Sequence, residues 1–255
     1  MIKLIQKYQF LFEELVKRDF KKKYKRTVLG MAWSVLSPML QLLVMRIIFT
    51  QFFGSGMEHY TTYLFSGNIV YSYYRESTNA GMNSLMSNAG IISKVNVPKY
   101  MFLLSKNVSS IINFGLTLIV YIIFAAIDGV TFGPHFIMLI YPILCLIVFN
   151  CGVGLVLSAL YVFFRDINYI YEIFTLLLMY MSAIFYTVDG YPPILQRLFL
   201  CNPLYCYIKY FRVIVLDGDI PSVQFHLLCA FYAVIMMLIG AFFYKKYNHK
   251  FLYYM

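Results

Sequence analysis

Arg75, Glu76 and Asn79 follow Tyr71 and Tyr74 inside the stretch Tyr60–Ala80, which is long enough to cross a bilayer as a helix. Polar side chains at that depth face either other protein or a wet cavity, because hydrocarbon offers them no partner. Arg75 and Glu76 are adjacent, so they leave a helix on different faces and need different partners. Two readings follow. One is structural pairing across helices, for example Arg46 with Glu76. The other is a polar, tyrosine-rich translocation path through Tyr71, Tyr74, Arg75, Glu76 and Asn79. Aromatic rings suit sugars, whose C–H faces pack on them without demanding one order of hydroxyls.

Other chemistries find no support. No GxxxxGK[ST] loop cradles nucleotide phosphates. His59, His135, His226 and His249 are dispersed, with no metal-ligand partner at helical spacing, so no metal or cofactor is expected in this chain. An embedded glycosyl- or acyltransferase would show His, Asp or Glu clustered at one membrane face, and no such cluster is present. No catalytic residue is therefore assigned. Gly152-Val153-Gly154 lies in an apolar run and reads as close helix packing, not a dinucleotide loop. Cys145, Cys151, Cys201, Cys206 and Cys229 lack CxxC spacing and read as small packing residues, with a Cys201–Cys206 bridge as the alternative.

The elements that must position these residues are membrane helices. Of 255 residues, 61% are hydrophobic and only 13% charged, where a soluble domain carries roughly a quarter charged. Six candidate spans run over about 34–53, 60–80, 102–127, 136–163, 169–188 and 223–244. Their unbroken apolar character excludes the alternation of a β-barrel, so the fold class is an all-α integral membrane protein. Fifteen of the 21 basic residues fall in residues 1–33, in the second-to-third and fourth-to-fifth connections, or in the tail. That bias puts both termini in the cytoplasm and reads the net charge of +10 as topology and lipid affinity, not nucleic-acid binding.

Three connecting segments have character of their own. Residues 1–33 form a cytoplasmic interface segment in which Leu4, Ile5, Tyr8, Leu11, Phe12, Leu15 and Val16 recur at helical spacing between charges. That amphipathic helix should lie in the inner membrane interface, and no cleavable signal peptide is expected there. The segment Ile91–Tyr100 reads as a short helix and an elbow set by Pro98, suited to contact with another protein; a plain loop is the alternative. Between Val188 and Pro221, two proline-started amphipathic segments fit re-entrant helices with Arg197, Lys209 and Arg212 at outer headgroup level. A folded outer loop is the competing reading. Residues 34–244 thus form the transmembrane domain and 245–255 a cytoplasmic tail.

Four segments resemble the membrane subunit of type 2 ABC exporters, specifically the permeases of polysaccharide, O-antigen and teichoic acid export. They are Arg18-Asp19-Phe20-Lys21 through Pro38; Gly67–Tyr74 with Glu76, Asn88 and Ile91–Pro98; Arg165-Asp166-Ile167; and Ser182–Tyr186 with Asn202-Pro203-Leu204 and Tyr210-Phe211-Arg212. The match runs over nearly the whole chain, in order. It departs from the family at Val70-Tyr71, where Pro-Trp is usual, and at Ala183, where proline is usual.

The resemblance implies a homodimer of this subunit in a bacterial plasma (inner) membrane, with a separate ATPase subunit docked below each copy. ATP and Mg would be bound there. Arg18, Asp19, Ile91, Ile92, Lys94, Val95, Pro98, Arg165 and Asp166 would receive the ATPase's motion, and Phe185 and Tyr186 with the three basic residues would form the outer gate. The substrate would be an undecaprenyl-type lipid-linked glycan moved outward between the copies. Export of a lipid or drug is the neighbouring alternative.

Overall fold

The computed structural model describes residues 2–24, 27–53 and 58–254. Helix makes up 80% of it, and no strand occurs among the described residues. In chain order the helices are α1 (Ile2–Tyr24), α2 (Trp33–Phe53), α3 (Tyr60–Met82), α4 (Ala89–Ile92) and α5 (Tyr100–Ile127). Then come α6 (Ile140–Phe163), α7 (Ile167–Met181), α8 (Pro193–Phe199), α9 (Pro203–Arg212), α10 (Val223–Tyr247) and α11 (Phe251–Tyr254). A 3-10 stretch, Pro134–Leu139, leads into α6, and a π-helical stretch, Val213–Asp217, extends α9.

Three of these segments are long and apolar enough to cross a bilayer: Tyr100–Ile127, Pro134–Phe163 and Val223–Tyr247. The pair Pro193–Phe199 and Pro203–Asp217, bent by 103°, makes a fourth if it counts as one span. The expected fifth span over 169–188 is shorter than predicted. α7 stops at Met181, so its 15 residues reach only about 22 Å at the usual helical rise. Ala183 then takes φ +50°, the left-handed region that breaks a helix, and residues 182–188 run irregularly.

The bundle is drawn together where side chains are small. A Cβ on Gly152 would meet the backbone of Met236 at 2.6 Å, and one on Gly240 would strike the Gly152 carbonyl. α6 and α10 therefore touch backbone to backbone. On the other side of α6, a Cβ on Gly81 would lie 3.0 Å from the Gly154 Cα, which seats α3 equally close. Both glycines of the 152–154 motif serve helix packing.

Buried apolar side chains form one large cluster through the bundle, a second, the inner cluster, at the end of the bundle where α1 lies, and a small third one of Ala183, Val188 and Tyr205. The inner cluster joins Leu15 of α1, Ile92, Val97, Phe102 and Leu103, Val162 of α6, Tyr244 and Phe251. α1 is amphipathic as expected: Leu15 is buried, while Glu13, Glu14 and Lys17 are exposed. The side chains of Leu4 and Ile5 lie outside the described residues. The apolar face of α1 is taken up by protein, and Ser109 of α5 donates to the Val16 carbonyl at 3.5 Å.

Candidate functional site

Beside the inner cluster, α1 is tied to the helices it lies on. Arg18 donates through Nη2 to Asn88 Oδ1 at 2.8 Å, and Asn88 donates to the Ser84 carbonyl at 2.7 Å. The same guanidinium meets Asp19 Oδ1 at 2.8 Å, and Lys106 Nζ of α5 meets that oxygen at 3.1 Å. The Asp19 side chain is only 3% exposed. Arg18 and Asp19, expected to face an ATPase, thus brace α1 against α5 and the 83–92 segment, because a carboxylate enclosed this fully must be paired.

The elbow divides its apolar residues between two directions. Ile92 and Val97 are buried in the inner cluster, whereas Ser93, Lys94, Val95 and Asn96 are exposed. Ile91 and Pro98 are half-buried. The expectation that Ile92 offers a docking contact is corrected: its one helical turn points it inward, and Val95 is the apolar side chain left outside. The Tyr8 hydroxyl donates to the Asn96 carbonyl at 3.5 Å. Lys99 donates to the Asn248 carbonyl, and partial burial holds its ammonium below the usual lysine range. Arg165 and Asp166 are exposed at the α6–α7 turn, with the Arg165 guanidinium 5.6 Å from the Tyr161 ring.

Midway, α3 turns a polar stripe toward α2 and α7. Asn68, Ser72, Arg75, Glu76 and Asn79 border a cleft of about 510 Å³ that Gln41 and Met179 close. An adjoining cleft of about 420 Å³ continues past Ser34, Ser37 and Asn113. Glu76 accepts a hydrogen bond from Asn113 Nδ2 at 2.7 Å, a cross-helix contact with α5. Tyr71 is largely buried but borders the larger cleft, whereas Tyr74 is buried away from both. The Tyr71 hydroxyl donates to the Thr175 carbonyl at 2.9 Å, and the Tyr74 ring packs on Phe149. Of the five expected path residues, Tyr71, Arg75, Glu76 and Asn79 border the cleft and Tyr74 does not.

On the side where α3 begins, Arg212 overturns its expected position at headgroup level. It is 7% exposed and donates to Ser66 Oγ (3.3 Å) and to the carbonyls of Ala183 (2.8 Å), Tyr63 (3.2 Å) and Ile184 (3.1 Å). Its guanidinium also lies 3.4 Å from the Tyr63 ring centroid. The irregular 182–188 segment leaves carbonyls without helical partners, and Arg212 supplies donors to them. Tyr60 and Tyr63 supply two more, to the carbonyls of Phe185 (3.0 Å) and Tyr186 (2.6 Å). Gly67 makes the room: a Cβ there would lie 2.9 Å from Arg212 Nη2. Phe185 stacks on Phe49 of α2 at 4.8 Å, while Arg197 is exposed on α8 and Lys209 half-buried on α9.

Asn202 both caps α9 and donates to the Met181 carbonyl at 3.2 Å, fixing the α8–α9 bend to the end of α7. Cys201 and Cys206 are both free, so the alternative of a bridge between them falls. Among the described residues, no three His, Cys, Asp or Glu side chains converge as metal ligands.

The ABC-2 type transporter family matches residues 11–216. The chain belongs to this family. It is similar to an O-antigen export system permease protein RfbA of Klebsiella pneumoniae, 26% identical over 255 residues and covering 98% of each chain. An RfbA of Myxococcus xanthus is 23% identical over 233 residues, 88% of each chain. The polysialic acid transport protein KpsM of Escherichia coli is 21% identical over 236 residues, 91% of this chain and 92% of its own. The transporter's segments that sequence reasoning missed are the partners: Lys106 for Asp19, Asn113 for Glu76, the Tyr60–Tyr63 pair, and the C-terminal Phe251. Only Lys106, a lone cation in an apolar run, carried a signal in the sequence.

Proposed function

We propose that this chain is the permease subunit of an ATP-driven exporter that carries a lipid-linked polysaccharide outward across the bacterial plasma membrane. It works as a pair of identical subunits with two ATPase subunits beneath, and hydrolyses no ATP itself. The observation that carries this reading is the full-length similarity to O-antigen export permeases, 98% of both chains, together with a polar cleft along α3 inside an otherwise apolar bundle. Sugar hydroxyls find donors and acceptors on Asn68, Glu76 and Asn79 there. The lipid carrier stays in the bilayer, where the exposed apolar faces of the bundle already lie.

In this reading six crossings place both termini in the cytoplasm, α1 lies at the inner interface, and α8–α9 dip into the outer leaflet. The basic bias of the inner connections supports it. Cysteines introduced at Lys94 and Lys246 should resist an impermeant thiol reagent in intact cells, while one at Glu58 should react. Glu58 suits the test because its side chain is 92% exposed; Asp128 does not, since its carboxylate accepts from Thr62 Oγ1 at 2.6 Å and caps α3. Reaction at position 94 from outside would reverse the topology.

The ATPase meets the elbow through Val95 and Lys94, and the exposed α6–α7 turn at Arg165 and Asp166. Val95 is 48% exposed at the tip. Val95→Glu should sever ATPase co-purification and abolish export, because an unpaired carboxylate in an apolar contact costs several kcal/mol. The permease itself should still accumulate in the membrane, as Val95 is already half open to the outside and is not part of the buried core. Intact co-purification and export would place the ATPase elsewhere.

A further inference from the structure

The end of the chain folds back on itself. α10 runs to Tyr247, the chain reverses through 248–250, and α11 returns Phe251 to the inner cluster, where it is fully buried. The Phe251 ring lies 5.2 Å from Tyr244 and 6.0 Å from Phe163. Tyr244 and the hook itself, residues 248–254, lie beyond 216, where the family match ends.

What the hook touches is the elbow. Lys99 follows Pro98 at the junction with α5, and its ammonium donates to the Asn248 carbonyl at the C-terminal end of α10. A helix C-terminus favours a cation, so the contact is electrostatically apt as well as hydrogen-bonded. The same ammonium stands 5.6 Å over the Phe251 ring. Val97 and Ile92 complete the inner cluster around it. On the other side the elbow is held by α1, through Tyr8 and Asn96. The two supports differ in what lies behind them. α1 is tied through Asp19 and Arg18 only to α5 and Asn88, the segments that the elbow itself joins, whereas the hook is continuous with α10, which meets α6 backbone to backbone at Gly152 and Gly240. A push on an elbow held only by α1 would be absorbed in the elbow; one held against the α6–α10 pair passes the push into α5.

We propose that Phe251 and Lys99 are positioning residues for coupling: the C-terminal hook fixes the elbow to the rigid α6–α10 pair so that movement at Val95 reaches the membrane helices. This rests on the reading of the elbow as the ATPase contact.

The test uses the full permease–ATPase complex in proteoliposomes and reads polysaccharide exported per ATP hydrolysed. Phe251→Ala should lower that ratio about tenfold, within the range over which residues carrying coupling shift it, while the subunits still co-purify and ATP is still hydrolysed. Phe251→Leu, which refills the space, should restore it. Lys99→Met, which leaves the hook packed but removes the charge, should also lower the ratio, and Lys99→Arg should not. A purely structural role would reduce folded protein and leave the ratio untouched. If Phe251→Ala does not assemble, Lys99→Met decides, and an unchanged ratio there overturns the proposal. Val95→Glu run alongside separates the two readings. If it spares docking and export, the elbow reading fails. If it severs docking while both hook variants keep a normal ratio, the hook alone is rejected.

Discussion

Asp19→Ala should destabilise the permease by about 3–5 kcal/mol, the usual effect of removing one partner from a buried ion pair. Its carboxylate is 3% exposed, and both Arg18 and Lys106 converge on Oδ1. Removing it leaves Lys106, itself only 20% exposed, with its charge uncompensated between α1 and α5. The measurement is thermal unfolding of the purified subunit in detergent, with Asp19→Ala/Lys106→Met beside the single variants. If the ion pair is the cause, the double variant should recover much of the loss, because no buried charge is then stranded. An Asp19→Ala protein as stable as the parent would return Asp19 to the partner-facing role that its position beside Arg18 suggested. Lys17 and Glu14 form the contrasting case on the same helix: both are more than half exposed or nearly so, and breaking their pair should change little.

Arg212→Gln is expected to be the most damaging single change on the α8–α9 side. Four acceptors lose a charged donor at once, and each buried carbonyl left unpaired costs about 1–3 kcal/mol. Gln can satisfy one or two of them and carries no charge over the Tyr63 ring. Gly67→Ala should act on the same clamp from the other side, costing about 1–3 kcal/mol by overpacking against Arg212 and Ile184. The two should be strongly sub-additive, because the larger part of the clash disappears with the guanidinium. Unfolding curves for the pair check this, and simple additivity would mean that Gly67 and Arg212 do not share a site. Arg197→Gln, on the exposed face of α8, should stay within about 0.5 kcal/mol. Neutralising Arg197, Lys209 and Arg212 together is therefore no clean test of headgroup contacts, since loss of Arg212 would release the 182–188 segment.

The large features were legible because each rests on a property of the chain alone. Runs of apolar residues near the length of a bilayer announce helices, and α3, α5, α6 and α10 begin and end within a few residues of the expected limits. The charge bias and the amphipathic period of α1 are likewise local. Pro98 and the prolines of the α8–α9 region mark turns through a missing N–H, whatever surrounds them.

Direction and partnership were decided only by tertiary structure. The sequence places Ile92 and Val95 three residues apart with similar apolarity, yet one is inside and one outside, because the inner cluster that claims Ile92 is assembled from five distant segments. Arg212 reads from sequence as one of three basic residues near an outer surface. It is buried because α7 ends early and leaves carbonyls that only a long, forked donor reaches across to satisfy. Tyr74 reads as part of the same path as its neighbours until Phe149 of α6 packs on it, leaving Tyr71, Arg75, Glu76 and Asn79 at the cleft. Residue type and spacing thus determined the helices. Which polar groups face each other, and which are left for a substrate or a partner, depended on contacts between segments far apart in the chain.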